Sequence, residues 1–286
     1  MMSTDLPGKP DPARSFGGVA DAYERGRPTY PREAAVWLTS DRPLTVLELG
    51  AGTGKLTEQL AALGHDVHAT DPDPKMLAIL QKRLPDVRTS QATAEEIPAG
   101  DASYDVVVSA QAFHWFDHGV ALPEIARVLR PRGRLSLVWN QRDERIPWVK
   151  RLGKLIGTQD QLNDPVDVLE RSRLFGETEH EAFRFWQVVD QHSIRDLVRS
   201  RSNVAVLSPA AQEAKLAEVL ALYEEYGRGR DGMQLPYTAS CFRSEVLDRL
   251  TPTLTEPRAE SGSGSDEAGS AVSDGSSTDM LLIDFR

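Results

Sequence analysis

The sequence predicts an α/β protein built on a doubly wound, mostly parallel sheet. Three observations predict it: strand-like and helix-like segments alternate from Thr45 to Trp139, a glycine-rich turn joins the first strand to its helix, and acidic residues stand where the first two strands end. An apolar strand followed within about 25 residues by an amphipathic helix and another strand requires a crossover, and so parallel pairing. Thr45–Leu49 (TVLEL) runs through glycines into the helical spacing of Lys55–Leu63. Asp66–Thr70 (DVHAT) leads into Asp73–Leu84, Tyr104–Ala110 (YDVVVSA) precedes Val120–Leu129, and Arg134–Trp139 (RLSLVW) follows as a further strand. Beyond Asn140 helical stretches near 145–156, 164–175 and 209–226 flank two more strand candidates, Glu181–Asp190 and Met233–Arg243. Insertions around late strands are expected over the carboxyl ends of the early ones, where doubly wound sheets bind ligands.

Composition narrows the function classes. The 286 residues can bury a sizeable core without staples, and the single Cys241 excludes an internal disulfide, so a buried thiol and a cytoplasmic location are expected. The N-terminus lacks a basic stretch followed by an apolar one, and no apolar run approaches the roughly 18 residues of a membrane helix, so no membrane association is expected. A net charge of −10 argues against a broad nucleic-acid surface. Part of that charge sits at the end: Glu256–Arg286 carries seven acids against two arginines. Its Ser/Gly/acid-rich part, 256–279, cannot bury enough apolar surface to offset ordering entropy and is expected to be disordered. It closes in an apolar cluster, Met280–Arg286, for which the sequence names no partner.

The chemistry concentrates in Val46–Gly54, VLELGAGTG. Glycines at 50, 52 and 54 let the backbone and a helix N-terminus approach a ligand closely, with positive φ angles where needed. The spacing is GxGxG, not the dinucleotide GxGxxG, and Glu48 precedes the first glycine by two residues. Asp71, before Pro72, ends the next strand where a ribose diol would be gripped. Taken singly, Glu48 also reads as a strand-end carboxylate and Asp71 as a turn or N-cap residue.

Together Glu48, Gly50, Gly52, Gly54 and Asp71, with Ala92–Glu96 (ATAEE), resemble the S-adenosylmethionine site of class I methyltransferases. The resemblance implies a Rossmann-like, doubly wound, seven-stranded sheet with helical insertions capping the active site, and S-adenosyl-L-methionine as cofactor. It implies that Gly50, Ala51, Gly52 and Gly54 pass under the amino-acid and ribose part, that Asp71 with Pro72 meets the ribose, and that Ala94 and Glu95 border adenine. Thr93 stands where the family often has Asp. Ser15–Pro31, with Gln111–Asp117 (QAFHWFD) and Val138–Arg142, resembles a narrower branch, the trans-aconitate methyltransferase-like proteins, over roughly residues 15–245. That likeness implies an N-terminal lid, 1–32, whose Tyr23, Arg27 and Tyr30 reach the methionine end or the acceptor. A cofactor-binding core, 33–142, would follow, then cap insertions with the last two strands of the sheet, 143–250, and the tail, 251–286.

Methyl transfer from a sulfonium is an in-line displacement, so no covalent nucleophile is demanded; a base is needed only if the acceptor must lose a proton. His114, just past the fourth strand, is the candidate base, and holding the acceptor or the loop is its other reading. Gln111 is expected at the methionine part of the cofactor, and Trp115, Trp139 and Asn140 at the acceptor. Arg142, Trp148, Arg173, Trp186, Arg199 and Arg201 belong to the region expected to shape the acceptor pocket. His114 and His118 are four apart, but no third ligand is identifiable and no metal is expected. A small-molecule acceptor is the leading expectation. The alternatives are a nucleic-acid methyltransferase, disfavoured by QAFH where an Asn/Asp-Pro-Pro-aromatic stretch would stand, and a non-catalytic adenosylmethionine or nucleotide sensor. A nicotinamide oxidoreductase is disfavoured by the loop spacing.

Overall fold

The short apolar strands are buried on both faces, as the central strands of a parallel sheet must be. In the computed structural model, which describes residues 24–157, 164–226 and 232–247, β1 (Thr45–Leu49), β2 (Asp66–Asp71), β3 (Arg88–Gln91), β4 (Tyr104–Ala110) and β5 (Leu129–Arg142) pair parallel. β6 (Phe175–Val189) and β7 (Met233–Val246) complete a seven-stranded sheet of order β3-β2-β1-β4-β5-β7-β6. β7 runs antiparallel to both of its neighbours, from Arg134↔Glu245 to Arg142↔Tyr237 against β5. The last two strands thus join the same sheet. The tail 251–286, Tyr23 and most of the lid segment lie outside the described residues.

Helices cover both faces of the sheet. α1 (Arg32–Leu38) and α2 (Lys55–Ala62) pack Ala34, Leu38, Leu56 and Leu60 with Val46, Val106, Val108 and Val138. α4 (His118–Val128) seats Leu122 and Ile125 among Leu47, Val107, Leu135 and Leu137. Between them in sequence, α3 (Pro74–Arg83) starts at Asp73, whose side chain accepts the Lys75 N–H while Pro74 supplies the preset φ of a first helical residue. A separate core lies in the later part of the chain. There α5 (Pro147–Ile156), α7 (Gln191–Arg199) and α9 (Pro209–Tyr226) pack Val149, Leu152, Leu197 and Leu222 with Leu235 of β7. α6 (Pro165–Ser172) and the one-turn α8 (Ser202–Ala205) complete the set.

The strand predicted for 181–190 begins six residues earlier, at Phe175, and ends at Val189. Asp190 is not its end but the N-cap of α7, closed by a reciprocal box with Ser193. Because β1 pairs with β2 on one side and β4 on the other, the chain leaves β1 and β4 in opposite directions and opens a crevice at their carboxyl ends. Among the described residues no helix is long and apolar enough to cross a membrane.

Ile125 tests the seating of α4. It is fully buried, so Ile125→Ala is expected to lower unfolding free energy in urea by about 3 kcal/mol; a loss below about 1 kcal/mol would show that the helix does not fill this face.

Candidate active site

After β1 the chain turns through Gly50, Gly52 and Gly54 with φ of 70°, 56° and 86°, a left-handed run that favours glycine. A Cβ on Gly50 would lie 2.4 Å from the Ala112 Cβ, and one on Gly54 would lie 2.8 Å from the Leu80 Cγ. At Gly52, among the described residues, nothing lies within 4 Å of that point. Gly50 and Gly54 are therefore pressed against protein, while Gly52 keeps backbone bare where a ligand can come close.

Asp71 holds this turn. Its Oδ2 accepts the Gly52 N–H at 2.8 Å and its Oδ1 accepts the Asp73 N–H at 2.9 Å. The Ala51 N–H donates to the Thr70 carbonyl at 2.9 Å, so the end of β2 grips the loop from two residues. Burial pushes the Asp71 carboxyl above its ordinary range, opposed by those two backbone donors. Glu48, 1% exposed, accepts the Thr57 hydroxyl at 2.6 Å. Its burial raises the carboxyl to about 8 despite that hydrogen bond, with a smaller push from Asp71, so it holds a proton at neutral pH.

The turn forms one wall of a cavity that is partly open to solvent. Gly50–Thr53, Lys55 and Leu56 line that wall beside Glu48; Ala110, Gln111, Asn140 and Arg142 bring the ends of β4 and β5; Tyr237 comes from β7. Arg27, Pro28 and Tyr30 cross it as a strap. The strap is fastened along its length. Arg25 pairs with Asp196 at 2.7 Å, and the Gln187 Nε2 donates to the Gly26 carbonyl at 2.9 Å. Arg27 donates to the Ser200 hydroxyl at 2.9 Å and carbonyl at 3.0 Å, and the Asn140 Nδ2 donates to the Thr29 carbonyl at 3.1 Å. Gln111 sits in the left-handed region at φ 60° and donates from Nε2 to the Asn140 carbonyl. Such a backbone costs about 1–3 kcal/mol and clusters at functional sites.

The expected site residues separate into two groups. Glu48, Gly50, Ala51, Gly52, Gln111, Arg27, Tyr30, Asn140 and Arg142 meet at the cavity. Gly54 caps α2 behind it. Asp71 stands one layer back, and Pro72, Ala94 and Glu95 lie off the cavity wall: the Pro72 carbonyl accepts from Gln91, Ala94 is in the core, and Glu95 accepts the Asp117 N–H at 2.8 Å. Trp139 is a correction. Successive strand residues face opposite sides, so its neighbour Asn140 reaches the strap while Trp139, 5% exposed, packs edge-on to Phe113 and Phe242. Trp115 is 42% exposed, outside the cavity, and Trp186 is 62% exposed.

His114 is half-buried against the Trp115 ring, also off the cavity wall, and its Nδ1 finds no hydrogen-bond partner among the described residues. Burial, with a smaller effect from nearby His118, lowers it to about 4. His118 bonds the Phe113 carbonyl, and no group of three metal-capable side chains gathers among the described residues. Arg201 holds the end of α5 through the Ile156 and Gly157 carbonyls, and Arg173 occupies the C-cap of α6. Sequence reasoning missed Lys55, Thr53 and Tyr237. Thr53 lay inside the glycine motif and Lys55 directly after it; Tyr237 had no local signal, because its place opposite Arg142 exists only once β7 pairs with β5.

The chain is similar to known proteins. A methyltransferase-domain family profile matches residues 47–137, the stretch from β1 into β5. An uncharacterized methyltransferase from Mycobacterium tuberculosis is 44% identical over 241 residues, 82% of this chain and 97% of the relative. A second, methyltransferase-like protein from Schizosaccharomyces pombe is 35% identical over 79% of this chain and 93% of its own length. Among solved structures, one assigned as a type II methyltransferase from Anaeromyxobacter dehalogenans superposes with a TM-score of 0.54 at 26% identity, covering 77% of this chain and 97% of the other. Phosphoethanolamine N-methyltransferase 2 of Haemonchus contortus, solved with S-adenosyl-L-methionine, shares the fold at 17% identity and TM-score 0.51, over 82% of this chain and 60% of the other. With a glycine turn of this geometry at the carboxyl edge of a seven-stranded sheet, and identity to such relatives running nearly the length of its folded part, the chain belongs to the class I S-adenosylmethionine-dependent methyltransferases.

Proposed function

We propose that this chain transfers a methyl group to a small acceptor enclosed beneath the strap, with acceptor and cofactor meeting in one cavity. The observation that carries the reading is the extent of that cavity, from the glycine turn at Gly52 and Thr53 to a far wall of Arg142 and Tyr237, with Arg27, Pro28 and Tyr30 across it. A polymeric acceptor would need an open groove on that side. The residues fit the family's cofactor: Gly52 offers open backbone, and the Thr53 hydroxyl is buried with no partner among the described residues. A buried carboxyl at Glu48 stands ready to ionise beside a cation.

S-adenosylmethionine, when bound, supplies a methyl already activated on a sulfonium. The protein's task is orientation and exclusion of water. Gln111 and Asn140 fix the edge of the sheet to each other and to the strap. Tyr237, whose phenol burial raises against the opposing pull of Arg142, Arg27 and Arg201, stays neutral and can donate to an acceptor oxygen. We assign His114 no proton transfer, since an imidazole lowered to about 4 and off the cavity wall is a weak proton acceptor at pH 7.

Incubation with methyl-labelled cofactor and a fractionated cell extract tests the reading. Label should enter the small-molecule fraction; label confined to nucleic acid or protein would overturn it, and cofactor binding without any labelled product would favour a sensor. With an acceptor in hand, His114→Gln should retain its single-turnover rate within about threefold from pH 6 to 8, and a loss above about tenfold would restore the base role. Glu48 makes a separate prediction about stability. Between the ordinary 4.5 and the folded value of about 8, the folded protein keeps a proton that the unfolded chain releases, so its stabilising contribution is complete below 4.5 and lost as pH rises through 8. Thermal unfolding of the wild type should therefore fall relative to Glu48→Gln from pH 5 to 8; parallel profiles would contradict the shift.

A further inference from the structure

α3 does more than carry its strand's crossover. Its last residue, Arg83, reaches back under the glycine turn and donates from Nη1 to the Thr53 carbonyl at 2.8 Å. The same Nη1 lies 3.2 Å from the Glu24 carboxylate, at the start of the strap, and Nη2 donates to Glu58 in the first turn of α2 at 2.7 Å. Lys55 joins the cluster through Glu24 at 3.4 Å. One guanidinium thus ties three elements that wall the cavity, the glycine turn, the strap and α2, without itself lining it.

The peptide it holds matters. The Thr53–Gly54 unit is pinned at its carbonyl by Arg83 and at its N–H by the Ala51 carbonyl at 3.0 Å. Rotation of that plane would carry away the left-handed Gly54 and the Thr53 hydroxyl, which is buried on the cavity wall with no partner among the described residues. A buried hydroxyl left unpaired is costly, and a bound ligand can relieve that cost only if the hydroxyl is already aimed at it. The Glu58 arm of the cluster is half-exposed and contributes little by itself.

From this geometry we infer that Arg83 is a positioning residue for the cofactor. It holds the last peptide of the glycine turn and draws the strap onto it through Glu24. The inference rests on the cavity being the cofactor site. Calorimetry with S-adenosylhomocysteine on the full chain, alongside thermal melts without ligand, tests it. Arg83→Gln should weaken binding about tenfold, the loss of one charge-assisted hydrogen bond to the loop and one link to the strap. Arg83→Lys, which keeps the charge and can reach one acceptor, should recover part of the loss. Glu58→Gln should change affinity less than about twofold. Wild-type affinity in a folded Arg83→Gln variant would overturn the inference and leave the assignment of the cavity standing; absence of binding by the wild type would overturn both. If Arg83→Gln fails to fold, Glu24→Gln carries the test: weaker binding at an unchanged melting temperature supports the link, and unchanged binding overturns it.

Discussion

The hydrogen bond from the Gly52 N–H to the Asp71 carboxylate is the constraint on which the site depends. It joins the turn after β1 to the last residue of β2, so that three glycines with positive φ stay in a conformation an unsupported chain would leave. The other Asp71 oxygen starts the turn into α3 through the Asp73 N–H, and α3 then returns Leu80 beneath Gly54. One buried carboxylate thereby sets both ends of a βα unit. Its position behind the turn also explains why it stands off the cavity wall: its oxygens are already committed to backbone donors, although a carboxylate has acceptor sites to spare.

A second theme is how cations are held around the cavity. Arg27 donates to the Ser200 carbonyl at the end of α7, and Arg142 and Arg201 donate to the Gly157 carbonyl past the end of α5. Carbonyls at helix ends carry partial negative charge and lack intrahelical donors, so they suit guanidinium groups. The cap helices α5 and α7 therefore do more than cover the sheet: their ends orient side chains that face the cavity. The strap shares these anchors, because Arg25 and Arg27 bind α7 one turn apart, at Asp196 and Ser200.

Most of the sheet was legible because its signals are local. TVLEL, YDVVVSA and the glycine spacing declare strands and a close-approach turn without reference to distant residues. Helix α7 was equally local in its signal: Asp190 with Ser193 forms a capping box and Ile194, Leu197 and Val198 share a face, yet the preceding apolar run drew Asp190 into the strand. Trp139 and Asn140 are adjacent in sequence, but strand alternation sends one into the core and the other to the strap. What no local pattern carries is the long-range pairing: Tyr237 opposite Arg142, and Arg83 under Thr53, are set by strand register and by the packing of α3 on the turn. The aromatic surroundings visible in QAFHWFD do not tell whether an imidazole faces a cavity or a packed edge; the folded chain places His114 against the Trp115 ring.

The central claim is that chemistry takes place under the strap and not at the exposed rim of Trp115. A crystal structure with S-adenosylhomocysteine tests it most directly. The account predicts the amino-acid portion against Gly52 and Thr53 and the thioether sulfur facing the space before Arg142 and Tyr237. A sulfur pointing outward past His114 and Trp115, with the space beneath Arg27 and Tyr30 unused, would contradict it.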